Sequence, residues 1–577
     1  MRASLRSLLI LSILMGIIPS LFAQQKTKIR FEGANSMKNL NLDEQKLIRY
    51  IGNVRFSHEG TRMICDSAYH NPDENWFNAF GNVRINQESS TITGEHLYYD
   101  GKTSTGKIDG NNVKLISDDA TLTTKTLYFN SKEKSVYYNT PGVITTEDSK
   151  LTSLRGYYYD TSNQIHFAGN VVMENPDGKI YTDSLSYNTN SEMAYFFGPT
   201  YIFNEQNFAY CEKGWYNKKI EQVSLQFNAY ILSKENKVFG DDIFYDKSTK
   251  FARITGNAVL VDTVNQAFVY GNKVNFWEDS ENAEISGNPH LVKIDNNDTL
   301  YLKADVFKII SKKDTITPDS THRFIKALHN VKFYRSDIQG LCDSLIYFTH
   351  DSIVKMYSQP ILWQNENQMT ADEITIYSKN KKLNQIDFIG NAFITSVEDT
   401  NFYNQIRGKK IVVHFSDGKA SKIDVNGNGQ AVYFIRDGEI LTMANRSESA
   451  RIFIVLKNNK ISKVTFKQKP LSNLYPIKKV EPEDITLKGF SWQPNKRPKD
   501  KYDIVPKNFK LLPVEKGNEG RLKILNNEDI QHIPFKEESH RVENYAKPGN
   551  LKKDKKQDKL NVKGKSRKPL KLKDIKR

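Results

Sequence analysis

Apolar and polar residues alternate along most of this chain in short runs, and the runs themselves recur. Val54 and Phe56 are separated by one polar position, and Val83 and Ile85 repeat this spacing 29 residues later. A period of two is the period of a β-strand, in which alternate side chains share one face. The pattern therefore predicts strands that each have one apolar face.

A Gly-Asn pair precedes most of these runs and marks a repeat of about 30 residues. Of thirteen such anchors, ten are glycine and ten are followed by asparagine. The steps between them are 29, 29, 32, 27, 29, 29, 29, 31, 42, 29, 32 and 37 residues. Because glycine and asparagine both tolerate a positive φ, the pair is expected to form a corner or a β-bulge. The anchors are Gly52, Gly81, Gly110, Gly142, Gly169, Gly198, Phe227, Gly256, Gly287, His329, Ser358, Gly390 and Gly427.

A second element recurs about 14 residues after each anchor: a small residue and a polar residue, then two apolar residues at alternate positions. Cys65-Asp66 and Cys342-Asp343 begin two of these elements, where other repeats have Gly, Ala or Thr in place of the cysteine. The cysteines, with Cys211, are therefore interpreted as small packing residues rather than reactive thiols. The aspartates are interpreted as structural groups that bond the backbone, and a ligand role is the alternative.

Each repeat thus contains two strand regions, and one repeat alone cannot bury its apolar face. The predicted fold is all-β: an elongated open β-jellyroll or solenoid of about thirteen stacked two-strand repeats, followed by a disordered C-terminal tail. The repeats are expected over residues 24–310 and 324–469, with a loop insertion at 311–323 that lengthens one repeat to 42 residues.

The N-terminal end carries an export signal. Residues 1–23 contain two arginines and an apolar run too short to span a bilayer, which predicts a cleaved signal peptide. An uncleaved anchor is the alternative. The expected location is the periplasm, with association to the outer membrane as a further option.

Residues 470–577 are predicted to form a Pro-containing linker and a basic disordered tail. From residue 541 onward there are 15 Lys and Arg against 4 Asp and Glu, a net charge of +11 out of +16 for the whole chain. The basic character therefore belongs to the tail and not to the repeats. Anionic lipid head groups are its expected partner, since export argues against nucleic acid, and a tail without a partner is the alternative.

The sequence contains no recognisable catalytic constellation. A His-Glu-x-x-His helix, a nucleophile elbow and a phosphate-binding loop are all missing. The three cysteines have neither zinc-ligand spacing nor the density of a disulfide framework. The chain is therefore expected to be non-enzymatic, with no catalytic residue, no metal site and no cofactor.

The Gly-Asn-Val corner followed by an Asp-x-apolar-x-Tyr strand resembles the OstA/LptA family of periplasmic proteins, over roughly residues 28–466. The resemblance implies an open, twisted β-jellyroll whose apolar groove receives lipid A acyl chains while lipopolysaccharide crosses the periplasm. It also implies the partners: lipopolysaccharide, other jellyroll components of the transport bridge joined through edge strands, and an outer-membrane translocon.

The candidate lipid-binding groove consists of the inward-facing apolar positions of the repeats. A structural or adhesive β-solenoid with a packed interior and no lipid is the alternative, because periodicity does not distinguish a filled core from a groove. The candidate residues are Val54, Phe56, Val83, Ile85, Val113, Leu115, Val171, Met173, Leu185, Tyr187, Leu345 and Tyr347.

Overall fold

The structure is a computed structural model that describes residues 27–511, except for 43–44, 160–161, 177, 205–206, 234–235, 296–297, 314–320, 380–381, 417 and 458–459. The predicted signal peptide, residues 1–23, and the predicted basic tail lie outside the described residues. The chain divides into two units, 1–530 and 531–577, and every described residue belongs to the first.

The secondary structure of the described residues is almost entirely β, because alternating apolar residues and an abundance of Tyr, Phe, Thr, Val and Ile favour a pleated, half-buried backbone. The strands of the first half are β1 Arg30–Gly33, β2 Ser36–Leu42, β3 Gln45–His58, β4 Thr61–Asn71, β5 Trp76–Gln87, β6 Ser90–Asp100, β7 Thr105–Ile116, β8 Thr121–Asn130, β9 Ser135–Tyr138, β10 Gly142–Thr145, β11 Lys150–Ser153, β12 Arg155–Tyr159, β13 Gln164–Asn175, β14 Gly178–Asn188, β15 Met193–Phe203, β16 Phe208–Asn217, β17 Gln222–Leu232 and β18 Asn236–Asp246.

The second half continues in the same way. Its strands are β19 Phe251–Asp262, β20 Ala267–Trp277, β21 Asn282–Ser286, β22 His290–Ile294, β23 Thr299–Lys303, β24 Val306–Lys313, β25 Thr321–Arg335, β26 Ile338–Phe348, β27 Ile353–Tyr357, β28 Ile361–Gln364, β29 Asn367–Thr370, β30 Glu373–Lys379, β31 Lys382–Asp399, β32 Phe402–Ser416, β33 Lys419–Asp437, β34 Ile440–Lys457, β35 Lys460–Lys467 and β36 Leu471–Pro476. A short helix α1 Pro482–Ile485 and three 3₁₀ turns, Ile477–Lys479, Pro494–Lys496 and Lys501–Asp503, follow. Within the described residues, no helix is long and apolar enough to cross a membrane.

The 36 strands of the described residues belong to one antiparallel sheet, in which most strands pair with the strand that follows them in the chain. The all-β repeat fold predicted from the sequence is confirmed. The pairing also runs through the predicted loop insertion, since β24 and β25 pair as far as Lys313 opposite Thr321. Of the loop itself, residues 314–320 lie outside the described part of the chain.

The Gly-Asn anchors form β-bulges, as their sequence predicts. Gly52 and Asn53 have φ of 79° and 49°, and the register between β3 and β4 shifts between Ile51 and Val54. Gly81 and Asn82 do the same with φ of 75° and 42°. Glycine and asparagine adopt positive φ values with the least strain, which explains why they predominate in the pair.

The bulges divide the sheet lengthwise into two limbs that fold over one another. The first limb contains the strand segments before each bulge and their paired neighbours, and the second limb contains the segments after it. Phe56 follows its bulge and Phe77 precedes the next, yet their rings stack with centroids 4.6 Å apart. In the ladder, Phe56 lies opposite Met63, whereas Phe77 lies opposite His70. The two rings therefore meet across the fold, and the core lies between the limbs.

Residues 470–511 were expected to form part of a linker, and the structure differs. Strand β36 pairs with β34, and residues 477–511, here called the strap, pack against the outer face of the second limb. Leu487, Ile504 and Val505 of the strap are buried, with 1%, 5% and 2% of their surface exposed. The frequent prolines shape a covering segment rather than a free connection.

Candidate functional site

The first inward residue after each bulge lies at the apex, where the two limbs meet. Val54, Val83, Val113 and Val171 hold this position and are at most 1% exposed. Small residues opposite them allow the limbs to approach closely: Cys65 pairs with Val54 in the ladder. The apex is therefore a packed apolar seam along the repeats.

The second inward residue after the bulge differs from one part of the chain to another. It is buried at Phe56 and Ile85, and again at Phe333, Leu362 and Ile394, where at most 8% of the side chain is exposed. In the seven consecutive repeats between these two ends it is only half-buried. These seven residues, here called the mouth row, are Leu115, Ile144, Met173, Ile202, Ile231, Leu260 and Leu291.

The N-terminal end of the interior is closed by aromatic rings and hydrogen bonds. His58 on the second limb contacts the hydroxyl of Tyr99 on the first limb through Nδ1 at 2.8 Å. The same hydroxyl lies 2.9 Å from Oγ of Ser131. Burial raises the pKa of Tyr99 to about 12, so this hydroxyl stays protonated. Large side chains from both limbs thus fill the interior at this end.

The middle stretch presents an apolar, uncharged surface on its inner side. Each of the seven mouth-row residues is aliphatic or methionine. At the apex beneath the mouth row, the hydroxyl groups of Thr182 and Thr200 form a hydrogen bond with their oxygens 2.9 Å apart. These polar groups are therefore paired within the protein. An apolar surface with its few polar groups already paired suits an apolar ligand.

The predicted groove residues fall into three parts of this interior. Val54, Phe56, Val83, Ile85 and Val113 belong to one buried cluster at the N-terminal end, with Leu115 at its margin. Val171 and Leu185 belong to a second cluster, with Tyr187 at its margin, and Leu345 lies in a third and longer one. Met173 and Tyr347 are half-buried. The interior does not bring all twelve together into one cluster.

Sequence reasoning missed five members of the mouth row, among them Ile202 and Ile231. A signal for them existed, because they occupy the same repeat position as Leu115 and Met173, which were predicted. No sequence signal predicted that the interior is packed at both ends of the mouth row. This packing depends on the combined volume of side chains from several repeats.

The recurring cysteines and aspartates have structural surroundings. Cys65, Cys211 and Cys342 are buried and unpaired, and burial raises the pKa of Cys65 and Cys342 to about 12 and that of Cys211 to about 11. A carboxylate such as Asp66 accepts a hydrogen bond from the asparagine of the following bulge. Among the described residues, no group of three or more His, Cys, Asp and Glu could hold a metal ion.

A family comparison agrees with the sequence interpretation in the N-terminal part of the chain. Residues 26–183 and 166–241 match the model of a family described as OstA-like protein, which confirms the predicted resemblance over residues 26–241. One similar solved structure is that of LptH from Pseudomonas aeruginosa, described as the LptA homologous periplasmic component of the conserved lipopolysaccharide transport device. It is 14% identical with a TM-score of 0.19, and the match covers 24% of this chain and 93% of that one. The comparison with curated proteins gives no match.

Proposed function

We propose that the chain is a periplasmic lipopolysaccharide-transport protein that holds lipid A acyl chains along the mouth row. The observation that carries the proposal is the row itself: seven consecutive repeats present an apolar residue that is only half-buried to the interior, between ends that are fully packed. Transfer of such a surface from water to contact with an acyl chain is favourable by about 25 cal/mol per Å².

The dimensions suit this cargo. Neighbouring strands lie about 4.8 Å apart, so a two-strand repeat advances by about 9.6 Å and the mouth row extends over roughly 58 Å. One leaflet of a bilayer's hydrocarbon core is about 15 Å thick, which is the length of an acyl chain in place. Several chains of one lipid therefore fit along the row.

The partners follow from the same proposal. The strands at the two termini of the sheet, β2 beside β3 and β36 beside β34, are each paired on one side only within the described residues. Such edges are suited to pairing with the edge strand of another jellyroll component of a transport bridge, which ends at an outer-membrane translocon. The basic tail would contribute contact with anionic lipid phosphates.

A photo-crosslinking experiment in cells tests the cargo. A photo-reactive phenylalanine analogue is placed at Met173, Ile202 or Ile231 in the mouth row, and at Tyr195 on the outer face of the first limb as the control. We expect lipid A adducts from the three inner positions and none from Tyr195. Equal capture at inner and outer positions, or no capture at all, contradicts the proposal.

A structural or adhesive β-solenoid is the second candidate, and the packed ends favour it. At Phe56 and Leu362 the interior is filled by the protein's own side chains, with no exposed surface left. A scaffold of this kind predicts that the analogue at Ile231 forms adducts only with the protein itself. The same experiment therefore separates the two candidates.

A further inference from the structure

The strap runs along the outer face of the second limb in the direction opposite to the repeats. Its first part lies against β32 and β34, where Arg446 donates to the carbonyl of Glu483 at 2.9 Å and Leu487 is buried. Its last part lies against β19, β20 and β22, where Ile504 and Val505 are buried. The chain thus turns back over its own array after the last strand.

Two buried glutamines bind the strap backbone in the same way. Gln405 donates from Nε2 to the carbonyl of Ile485 at 2.8 Å and accepts from the amide of Leu487 at 2.9 Å. Gln368 donates to the carbonyl of Ser491 at 2.5 Å and accepts from the amide of Gln493 at 2.7 Å. Each side-chain amide therefore pairs with the backbone as another strand would, independently of the strap's side chains.

These glutamines occupy one position of the repeat, three residues before the small residue of the second element. We call the series of residues at this position the strap row. Gln339 accepts from Nε of Arg497 at 2.8 Å, and Phe268 and Tyr301 pack with Ile504 and Val505. Six successive members of the row contact residues 483–505 of the strap: Arg446, Gln405, Gln368, Gln339, Tyr301 and Phe268.

The strap row continues past the described end of the strap to Lys237 and Phe208, and an aromatic surface surrounds it there. Rings of neighbouring strands follow one another: Phe203 and Phe208 at 4.9 Å, Tyr210 and Tyr230 at 5.1 Å, and Tyr230 and Phe239 at 5.9 Å. Phe239 also packs against the cluster that contains Ile504 and Val505. This surface, here called the outer stripe, is thus continuous with the surface that the strap already covers. Its residues are Tyr201, Phe203, Phe208, Tyr210, Tyr230 and Phe239.

We propose that residues 512–530 extend the strap and occupy the outer stripe. The described chain ends at Leu511, two residues after Phe509, whose ring lies 5.1 Å from that of Tyr270 on β20. The next two members of the strap row are Lys237 and Phe208, and the 19 residues 512–530 are long enough to reach both, because residues 483–505 contact six members. Like the covered strap, the segment has apolar residues among polar ones: Leu512, Val514, Leu522, Ile524, Leu525 and Ile530. The basic tail begins only after it.

Photo-crosslinking in the full-length protein tests the occupant directly. The photo-reactive phenylalanine analogue replaces Tyr210 in the outer stripe, with Tyr195 on the opposite limb as the control. We expect Tyr210 to give an adduct with a peptide from residues 512–530 of the same chain, and Tyr195 to give none. An adduct to lipid, to another protein or to a differently labelled second copy overturns the proposal, as does no adduct at all.

A full-length variant provides an independent measurement. Leu525→Asp combined with Ile530→Asp is expected to raise hydroxyl-radical oxidation of Tyr210 and Tyr230 several-fold. The matched control, Lys552→Asp with Lys555→Asp, introduces two carboxylates into the basic tail and is expected to leave that oxidation unchanged. Equal oxidation in the wild-type protein and in both variants overturns the proposal. Because the proposal gives none of the four substituted residues a role in the interior, lipid capture at Ile231 is expected to persist in both variants, so this result and the proposed transport function are tested separately.

Discussion

Asn82 donates a hydrogen bond from its side-chain amide to the carboxylate of Asp66, at 2.8 Å, and so ties a bulge in β5 to the strand before it. Asn257 and Asp241 form the same bond at 2.9 Å. A Cβ atom added to Gly81 would lie 2.4 Å from Oδ2 of Asp66, so the glycine leaves room for the carboxylate. The three recurring residue types thus form one structural unit.

This unit predicts different costs for two alanine substitutions. Gly60→Ala and Gly81→Ala both place a side chain at φ of about 77°, but Gly60 has nothing within 4 Å of the new Cβ. Gly60→Ala should lower the free energy of unfolding by about 1 kcal/mol, the cost of the backbone conformation. Gly81→Ala should lower it by about 1 kcal/mol more, because it also displaces Asp66 and breaks its bond to Asn82. Denaturant unfolding of the two variants measures the difference, and equal losses would contradict the role of Asp66.

The bulge was predictable because it is local: two adjacent residues determine it, and it recurs in phase with an alternating pattern. The preference for a small side chain at the positions of Cys65 and Cys342 was predictable for the same reason. The strap was not predictable, because its contacts join residues that are distant in sequence: Gln368 and Ser491 are 123 residues apart. A glutamine three residues before a small residue does not by itself predict a contact with such a segment. The packing of the two ends was not predictable from the apolar pattern either. Phe56, Phe77 and Ile202 are equally apolar in sequence, and they differ only in the side chains that face them in the fold.

Removal of Gln405 should loosen the strap without unfolding the sheet. Gln405→Ala deletes both bonds to the strap and leaves the amide of Leu487 without its acceptor, at a cost of about 2 kcal/mol for the local opening. Hydrogen exchange of the Leu487 amide should accelerate by a factor of about 30. Gln430→Ala is the control, because that side chain donates to Glu448 instead. Unchanged exchange at Leu487 would show that the strap is held by its apolar contacts alone.

His70 should make the protein less stable in mild acid. Its ring is buried near Tyr50 and Phe56, both ring nitrogens lack a hydrogen-bond partner among the described residues, and burial lowers the pKa of His70 to about 4. In the unfolded chain its pKa is about 6.5, so the unfolded state binds the proton first as the pH falls. Stability is therefore retained above pH 6.5 and lost between about pH 6.5 and 4, by up to about 3 kcal/mol.

The variant His70→Phe should remove that part of the pH dependence, because phenylalanine fits an aromatic site and does not titrate. Denaturant unfolding at several pH values between 4 and 7 measures the slope for both proteins. His350→Gln, at an exposed position, is the control and should keep the wild-type slope. Identical slopes in all three proteins would exclude His70 as the source.

The buried cysteines should be inert while the protein is folded. At pH 8 the raised pKa values, about 12 for Cys65 and Cys342 and about 11 for Cys211, leave almost no thiolate for alkylation. Iodoacetamide should therefore modify all three only after denaturation, which mass spectrometry detects. Cys65→Ala should be tolerated because other repeats have small residues there, whereas Cys65→Leu should destabilise by about 2 kcal/mol through overpacking against Val54. Rapid alkylation of the native protein would indicate that the interior opens.

A charge at the same repeat position should destabilise the protein much less in the middle of the array than at its end. Ile231 in the mouth row is half-buried, so Ile231→Asp should keep the carboxylate hydrated and lower the free energy of unfolding by only about 1 kcal/mol. Leu362 is 0% exposed, and Leu362→Asp should cost more than about 4 kcal/mol because the charge is buried without a partner. If lipid A lies along the mouth row, Ile231→Asp should also reduce the lipid recovered with the purified protein, because the carboxylate must lose water against an acyl chain. Ile231→Leu keeps the apolar surface and should recover as much lipid as the wild type. A charged variant that remains folded and retains its full lipid content would place the cargo elsewhere.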